Sequence, residues 1–141
     1  MERNILLKKH LNENVCLYIE RDGEVLHESN IRGIGALTNI YINNKSILKN
    51  STVVDKIIGK AASVILILSG VKEVYGETMS ESGFLLLQKY NITAFYDKKV
   101  PMIINREGND MCPMEKAVID MDNLNDGFEK IIKTLSSLSQ N

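Results

Sequence analysis

Two short runs rich in apolar, strand-forming residues lie near the start of the chain. They cover residues 15–19 and 24–28, and Asp22-Gly23 stands between them. Asp-Gly between two such runs is a strong signal for a tight turn, because both residues tolerate positive φ. The pattern therefore predicts a β-hairpin. Before it, apolar positions at helical spacing predict a short helix over residues 5–11 that ends near 12–14.

The most hydrophobic stretch lies in the middle of the chain. Residues 64–68 are all aliphatic, and Gly70 follows them. This pattern predicts a helix buried on every side, with glycine as its C-terminal stop. We expect Ser51 or Thr52 to cap this helix, so that its first half carries Asp55. The polar residues of that half recur at spacings of three and four and would form one stripe: Thr52, Asp55, Lys56, Gly59, Lys60 and Ser63.

A strand, a helix and a second strand are predicted next. Residues 71–79 and 92–96 favour strands, and Ser80 is placed to cap a helix from Glu81 to about Tyr90. Two strands joined through a helix pair in parallel, through a right-handed crossover. The sequence therefore predicts a sheet that is antiparallel at the hairpin and parallel in this part.

Further helices are predicted around this sheet. Residues 36–42 favour one helix after a glycine-containing turn, and Pro113 favours the start of another. Asn123 is placed to cap a last helix, and residues 136–141 are expected to fray. Residues 102–104 are compatible with a bent continuation of the preceding strand or with an edge strand.

The composition is that of one globular domain spanning residues 1–141. Hydrophobic residues make up 44% of the chain and charged residues 25%. The net charge is −1 and there is no Trp, so we expect no nucleic-acid partner. No apolar run approaches the roughly 20 residues of a membrane span. With no leader-like segment and two distant cysteines, we expect a cytoplasmic protein with reduced thiols and no membrane partner.

A zinc site is not expected, because the spacing of the possible ligands is wrong. His10 and His27 fall on a helix and a hairpin strand, and neither Cys16 nor Cys112 belongs to a Cys-x-x-Cys pair. We also find no glycine-rich phosphate loop. The sequence predicts no metal and no cofactor.

Cys112 is the candidate for reactivity. It precedes Pro113 at a predicted helix start, where unpaired amides favour thiolate over thiol. Glu115, three residues later, is the candidate catalytic partner. The alternative is that Cys112 is a small buried residue and that Glu115 only satisfies free amides of a helix start.

Three groups of polar residues are candidates for ligand binding. The first belongs to the predicted stripe, whose alternative is a solvated helix face. The second lies at a strand-to-helix junction, where capping alone explains it, and the third lies in a polar loop. In that order, the groups are Asp55, Lys56, Gly59 and Lys60; Ser80 and Glu81; and Asn105 and Arg106.

Seven short segments together resemble a prokaryotic family of unknown function whose members look like cytidine deaminases in fold. They are residues 55–62 (DKIIGKAA), 70–75 (GVKEVY), 79–81 (MSE), 96–98 (YDK), 100–101 (VP), 103–106 (IINR) and 112–115 (CPME). The resemblance implies a three-layer α/β/α sandwich with a mixed sheet, in which the helix carrying Asp55 is central. In deaminases of that fold, zinc ligands begin this helix and the next one. In this chain the matching positions are residues 59–62 and 79–82, which lack those ligands.

Three functions follow as hypotheses. The first is a binding or regulatory module that holds a small polar ligand, such as a nucleotide, in a zinc-free deaminase-type pocket lined by Asp55, Lys60, Ser80 and Glu81. The second is a metal-free enzyme with Cys112 as nucleophile or carrier, assisted by Lys60 or Glu115. The third is a homo-oligomeric structural protein.

Overall fold

Five strands form one mixed sheet in the order β2-β1-β3-β4-β5. The structure is a computed structural model and describes residues 2–31 and 33–139. In chain order, its elements are α1 (Glu2–Lys8), β1 (Leu17–Arg21), β2 (Glu24–Ser29), α2 (Ile34–Asn44), a 3₁₀ turn (Lys45–Ile47), β3 (Thr52–Ile58), α3 (Lys60–Leu68), β4 (Glu73–Ser80), α4 (Glu81–Lys89), β5 (Thr93–Val100), α5 (Pro113–Val118) and α6 (Leu124–Ser139).

The sheet is antiparallel on one side and parallel on the other. β1 runs antiparallel to both β2 and β3, whereas β3, β4 and β5 are parallel. The helices α3 and α4 make the two parallel crossovers. The predicted hairpin is confirmed, and its turn residues Asp22 and Gly23 have φ of 51° and 82°. Positive φ at both positions is what a two-residue hairpin turn of the right twist requires.

Helices cover the two faces of the sheet unequally. The larger hydrophobic core joins one face to α2, α3, α4 and α6, with Val53, Val64 and Ile131 fully buried in it. On the other face, Leu7 of α1 packs with Tyr18, Val54 and Tyr75 in a smaller cluster. The α/β/α sandwich with a mixed sheet is therefore confirmed, and α1 is the helix of its thin layer.

The helix expected to begin at Ser51 or Thr52 is wrong in its first half. Thr52–Ile58 is strand β3, and the helix begins only at Lys60. Val53 and Val54 are both fully buried, on opposite faces of the sheet. A strand buried on both faces lacks polar alternation and resembles a buried helix in sequence, although its β-branched residues favour a strand. The predicted polar stripe of a single helix therefore does not exist.

Two other predicted helix starts are confirmed by their caps. Ser80 Oγ accepts a hydrogen bond of 3.0 Å from the Gly83 N–H at the start of α4. Asn123 Oδ1 accepts one of 2.9 Å from the Asp126 N–H at the start of α6. These short polar side chains satisfy amides that the first helical turn leaves free.

Several element ends differ from the predictions. Helix α1 ends at Lys8, and α6 continues through Ser139 although the sequence predicts fraying from residue 136. The continuation follows from the apolar stripe of α6, because Leu135 still packs on the core. Strand β5 runs on to Val100 and stops before Pro101, which has no N–H for the ladder. Residues 102–104 form no strand, and Ile104 makes only a single bridge with Met111.

Helix α6 is the longest helix of residues 2–31 and 33–139, with 16 residues. Its apolar residues Phe128, Ile131 and Leu135 pack on the core. Within the described part of the chain, no helix combines the length and the hydrophobicity needed to cross a membrane.

Candidate functional site

A cleft of 590 Å³ opens beside the carboxyl half of β3 and the start of α3. Its walls come from seven separate parts of the chain. These are Cys16 before β1, the start of α2 (Gly33, Ile34), β3 (Asp55, Ile57), the start of α3 (Ala61, Ala62), the loop 103–107, the start of α5 (Cys112, Met114) and the end of α6 (Leu135, Leu138). Most of these side chains are apolar. The carboxyl ends of parallel strands are where α/β folds place ligands.

Asp55 is a titratable group in the wall of this cleft. It lies on β3 opposite Leu17 of β1 and Gly76 of β4, and its side chain is partly buried. Removal from water raises the pKa of this carboxyl from 3.8 to about 7. Hydrogen bonds from the backbone N–H groups of Ile57, at 3.5 Å, and of Lys56 act in the opposite direction. Near neutral pH, Asp55 therefore exists in both its ionised and its neutral form.

The Glu115 side chain caps the N-terminus of α3. Its Oε1 accepts a hydrogen bond of 2.7 Å from the Lys60 N–H, and its Oε2 accepts one of 2.9 Å from the Ala61 N–H. The residue is only 7% exposed. The alternative interpretation of Glu115 is thus partly right, since it satisfies free amides, but they belong to α3 and not to its own helix α5. With both oxygens engaged, this carboxylate is not a free base beside Cys112.

Gly59 makes room for that carboxylate. A Cβ on residue 59 would lie 2.5 Å from Cδ and 2.7 Å from Oε2 of Glu115. Gly83 of α4 likewise leaves room for the backbone of Gly59. A Cβ on residue 83 would lie 2.8 Å from the carbonyl carbon of Gly59. The starts of α3 and α4 therefore meet almost backbone to backbone, whereas α5 reaches Gly59 through the Glu115 side chain.

Ser80 and Glu81 do not share the cleft with Asp55. Ser80 is fully buried and its hydroxyl caps α4. Glu81 is exposed and forms an ion pair of 3.3 Å with Lys99 of β5. The capping interpretation of Ser80 is therefore supported. The structure does not bring together the predicted pocket of Asp55, Lys60, Ser80 and Glu81.

Lys60 lies at a second, smaller cavity. This cavity has a volume of 240 Å³, and Glu115 borders it as well as the larger cleft. The Lys60 ammonium donates a hydrogen bond of 3.3 Å to the Ile119 carbonyl oxygen. Lys60 is thus on the far side of Glu115 from Asp55, whereas Lys56 and Gly59 border the larger cleft.

Asn105 and Arg106 both border the cleft, with different roles in their loop. The Asn105 side chain donates to Asn109 Oδ1 at 3.0 Å and accepts from the Asn109 N–H at 3.2 Å. These bonds fix the shape of the loop. Arg106 is exposed at the cleft mouth and is available to a ligand there.

Cys112 lies in the cleft wall directly before α5. It is half-buried, and its carbonyl oxygen accepts hydrogen bonds from the N–H groups of Glu115 and Lys116. Cys16 also borders the cleft but is only 4% exposed. Sequence reasoning missed Cys16, Leu135 and Leu138 as parts of the site, since they come from distant segments and no local motif marks a cleft wall.

The residues present do not fit the zinc centre of the deaminases. At the start of α3 stand Gly59, Lys60 and Ala61, and the one carboxylate there, Glu115, is bound to amides. His10 is stacked on Tyr18, with ring centroids 3.8 Å apart. Over residues 2–31 and 33–139, no three His, Cys, Asp or Glu side chains are grouped so that they could hold a metal ion.

Fold and site define an α/β/α sandwich protein with an apolar, carboxyl-containing cleft at the end of a central strand. The chain belongs to the family described as TM1506: Domain of unknown function (DUF1893), which residues 6–135 match. The predicted membership of a family of unknown function is thereby confirmed.

Two solved structures are similar to the chain. One is the crystal structure of a DUF1893 family protein (TM1506) from Thermotoga maritima, with a TM-score of 0.76 and 27% identity, covering 96% of this chain and 86% of that one. The other is the apo dCMP deaminase from the cyanophage S-TIM5, with a TM-score of 0.46 and 17% identity, covering 67% of this chain and 91% of that one. No curated protein matches the chain.

Proposed function

We propose that this protein binds a small organic molecule in the cleft beside β3. The observation that carries the proposal is the partly buried Asp55 carboxyl in a mostly apolar cleft of 590 Å³. Ligand sites commonly have volumes of about 300–1,000 Å³, apolar walls and a few polar groups that orient the ligand. The cleft has each of these properties.

Placing Asp55 there costs folding free energy. A raised carboxyl pKa means that the folded protein destabilises the ionised form at neutral pH. An asparagine or an apolar residue would avoid this cost. Strongly perturbed titratable groups in clefts are typical of functional sites, and stability is often lower where function needs a particular group.

The arrangement favours a ligand with an apolar body over a highly charged one. Ile57, Ile104 and Leu138 border the cleft and are each 47% exposed, so a bound ring system would cover them. A phosphate group would not find free amides at the start of α3, because Glu115 occupies them. In a nucleotide-like ligand, the base would lie in the cleft and the phosphate would lie near Arg106 at the mouth.

The test is a thermal-shift screen with small aromatic and heteroaromatic compounds, including nucleobases, nucleosides and nucleotides. A ligand at 100 times its Kd stabilises a protein by about 2.7 kcal/mol, so a Tm rise of several degrees is expected. The same hits are then tested on Ile57→Trp, which fills the mouth, and on Leu85→Trp. Leu85 lies on α4, is 52% exposed and does not border the cleft.

We expect Ile57→Trp to lose the Tm rise and Leu85→Trp to keep it. If no compound raises the Tm, or if both variants respond like the unmodified protein, the cleft is not a ligand site.

A second candidate function is a metal-free enzyme in which Cys112 attacks a ligand in the same cleft. The position of Cys112 in the cleft wall favours this candidate. Glu115 is not placed to assist, since both of its oxygens bind amides. The enzyme hypothesis therefore requires the thiol to act without a neighbouring carboxylate base, and its test is the rate at which Cys112 is alkylated.

A further inference from the structure

Asp55 has no charged partner among the described residues. Across the sheet it faces Leu17 on β1 and Gly76 on β4, neither of which carries a polar side chain. No Lys, Arg or His of residues 3–31 and 33–138 forms an ion pair with it. Its hydrogen bonds within these ranges come from two backbone N–H groups, that of Ile57 at 3.5 Å and that of Lys56. This carboxyl can therefore still accept hydrogen bonds from a ligand in the cleft.

Of the other charged groups of the cleft, Lys56 follows Asp55 on β3 and forms no ion pair with it, and three more belong to the loop 103–107 and to α5. Arg106 and Glu107 are exposed on the loop at the mouth. Glu115 is bound to the α3 amides. Asp55 is thus the acidic group of the inner wall that is open to a ligand, in a cleft whose lining also includes Ala62, Met114 and other apolar residues.

We infer that the ligand of this cleft carries a basic nitrogen group, such as an amine, an amidine or an aminoheterocycle, that binds the Asp55 carboxylate while its apolar body lies against the aliphatic walls. This inference rests on the proposed function. An amidine offers two parallel N–H groups to the two carboxylate oxygens, which is the geometry of the strongest charge-assisted pairs. A carboxyl in an apolar site gains most from such a pair, because water does not screen it.

The same pairing makes binding pH-dependent. A cation binds the ionised form of Asp55, so its affinity falls as the pH drops through the pKa of about 7. From pH 8 to pH 6 the ionised fraction of the free protein falls about tenfold. Helices α2 and α6 contribute apolar or glycine residues to the cleft, and other elements contribute its remaining titratable or charged groups. Within the described residues, these are Cys16, Lys56, Arg106, Glu107, Cys112 and Glu115.

Three probes that share a benzene ring but differ in charge test the inference. Benzamidine is the cation, benzamide the neutral compound and benzoate the anion. Dissociation constants are measured by NMR titration at pH 8 and pH 6, with the protein labelled at its methyl groups. We expect benzamidine to bind at least tenfold more tightly than benzamide at pH 8, with benzoate the weakest. We also expect benzamidine to lose about tenfold in affinity at pH 6, while benzamide changes little.

Asp55→Asn supplies the specific control, because it keeps the shape and removes the charge. In this variant we expect benzamidine to bind no better than benzamide at either pH. Asp120→Asn, which removes an exposed carboxylate outside the cleft, is expected to leave all three constants unchanged.

The possible failures are distinguishable. If benzamide or benzoate binds the cleft as tightly as benzamidine, or if Asp55→Asn keeps the preference for benzamidine, the basic-nitrogen inference is wrong while the proposed function stands. If no probe of any charge shifts the methyl signals of Ala61, Ala62, Ile104 or Leu138, both the inference and the proposed function fail.

Discussion

Gly59 leaves free the space that the Glu115 carboxylate fills. A Cβ at residue 59 would lie 2.5 Å from Cδ of Glu115, well inside the van der Waals contact distance. The φ of Gly59 is −107°, which any residue can adopt, so the requirement for glycine is one of space and not of backbone conformation. Through this contact α5 is fixed against the first turn of α3 and forms one wall of the cleft.

Gly59→Ala is therefore expected to destabilise the protein by about 1–3 kcal/mol, as other overpacking substitutions do. The matched control is Gly35→Ala in the first turn of α2, where an added Cβ meets nothing within 4 Å. The control should leave the free energy of unfolding unchanged or raise it by up to about 1 kcal/mol. Urea unfolding of both variants measures the difference. Equal stability of the two variants would show that the Glu115 carboxylate moves aside at no cost.

Glu115→Ala should cost more than Glu115→Gln. The alanine variant leaves the N–H groups of Lys60 and Ala61 without their acceptors, and we expect a loss of about 3 kcal/mol. Glutamine keeps one acceptor oxygen and should lose about half of that. Glu129→Gln on the exposed face of α6 serves as the control, with an expected change below about 0.5 kcal/mol. A result in which all three variants unfold at the same urea concentration would contradict the capping role.

Asp55→Asn should stabilise the protein more at pH 8 than at pH 5. The folded-state pKa of about 7 lies above the ordinary value of 3.8, so between these values the folded state holds a proton that the unfolded state releases. Stability therefore falls as the pH rises through this window and levels off above it. Asparagine has no such proton, and at pH 8 we expect a gain on the order of 3 kcal/mol. Denaturant curves at both pH values measure it, and an equal gain at both would mean that ionisation of Asp55 is not the cause.

Arg3→Gln should loosen α1 from the sheet. Arg3 Nη2 and Nε donate to the Glu73 carboxylate at 2.6 and 3.2 Å, and Thr52 Oγ1 donates to it at 2.6 Å. The hydrogen bond from Arg3 is the main reason that the pKa of Glu73 is lowered. Glu73 therefore stabilises the fold above the ordinary glutamate pKa, and this contribution is lost as the pH falls through the lowered value.

We expect Arg3→Gln to cost about 1–2 kcal/mol at pH 7, because Glu73 is buried and loses its charged partner. Lys8→Gln is the control, since its ion pair with Asp97 is solvent-exposed on both sides and should contribute little to stability. Hydrogen exchange of the α1 amides, followed at pH 7 and near pH 4, reports the difference. Protection of α1 that is the same in both variants would show that Arg3 does not hold this helix.

Cys112 should react with iodoacetamide before Cys16, because Cys112 is half-buried in the cleft wall and Cys16 is only 4% exposed. Mass spectrometry after brief labelling identifies the modified thiol, and Cys112→Ser should abolish the early product. The enzyme hypothesis requires more than that Cys112 reacts before Cys16. It requires Cys112 to react faster than glutathione at the same pH, and a slower rate removes that hypothesis.

Local signals are sufficient for much of the fold. Asp22-Gly23 identifies the hairpin, and Ser80 and Asn123 identify the starts of α4 and α6, because turn and capping chemistry acts over a few residues. The stretch 52–58 is mistaken for a helix because burial on both faces removes the alternation that identifies a strand. Its neighbours β1 and β4 determine that it is extended, and they are distant in sequence.

The site is predictable only in part for the same reason. Residue type and local pattern point to Asp55, Gly59, Cys112 and Arg106, and all four border the cleft. They point to Ser80 as well, but its hydroxyl is the cap of α4. The sequence could not predict that Glu115 caps α3. A glutamate that caps a distant helix has the same local sequence pattern as one that caps its own helix.

The placement of α1 affects the order in which the chain can assemble. This helix contacts β4 and β5, and its Arg3 and Asn4 bind Glu73 and the Tyr96 carbonyl oxygen. On the ribosome α1 is made before any of the five strands, and its docking surface does not exist until the strands up to β5 have been made and paired. Contacts of such long sequence separation form late because they close large loops. We therefore expect the apolar side of α1, including Leu7, to stay without its packing partners until β5 is made, and α1 to dock on the sheet late in folding.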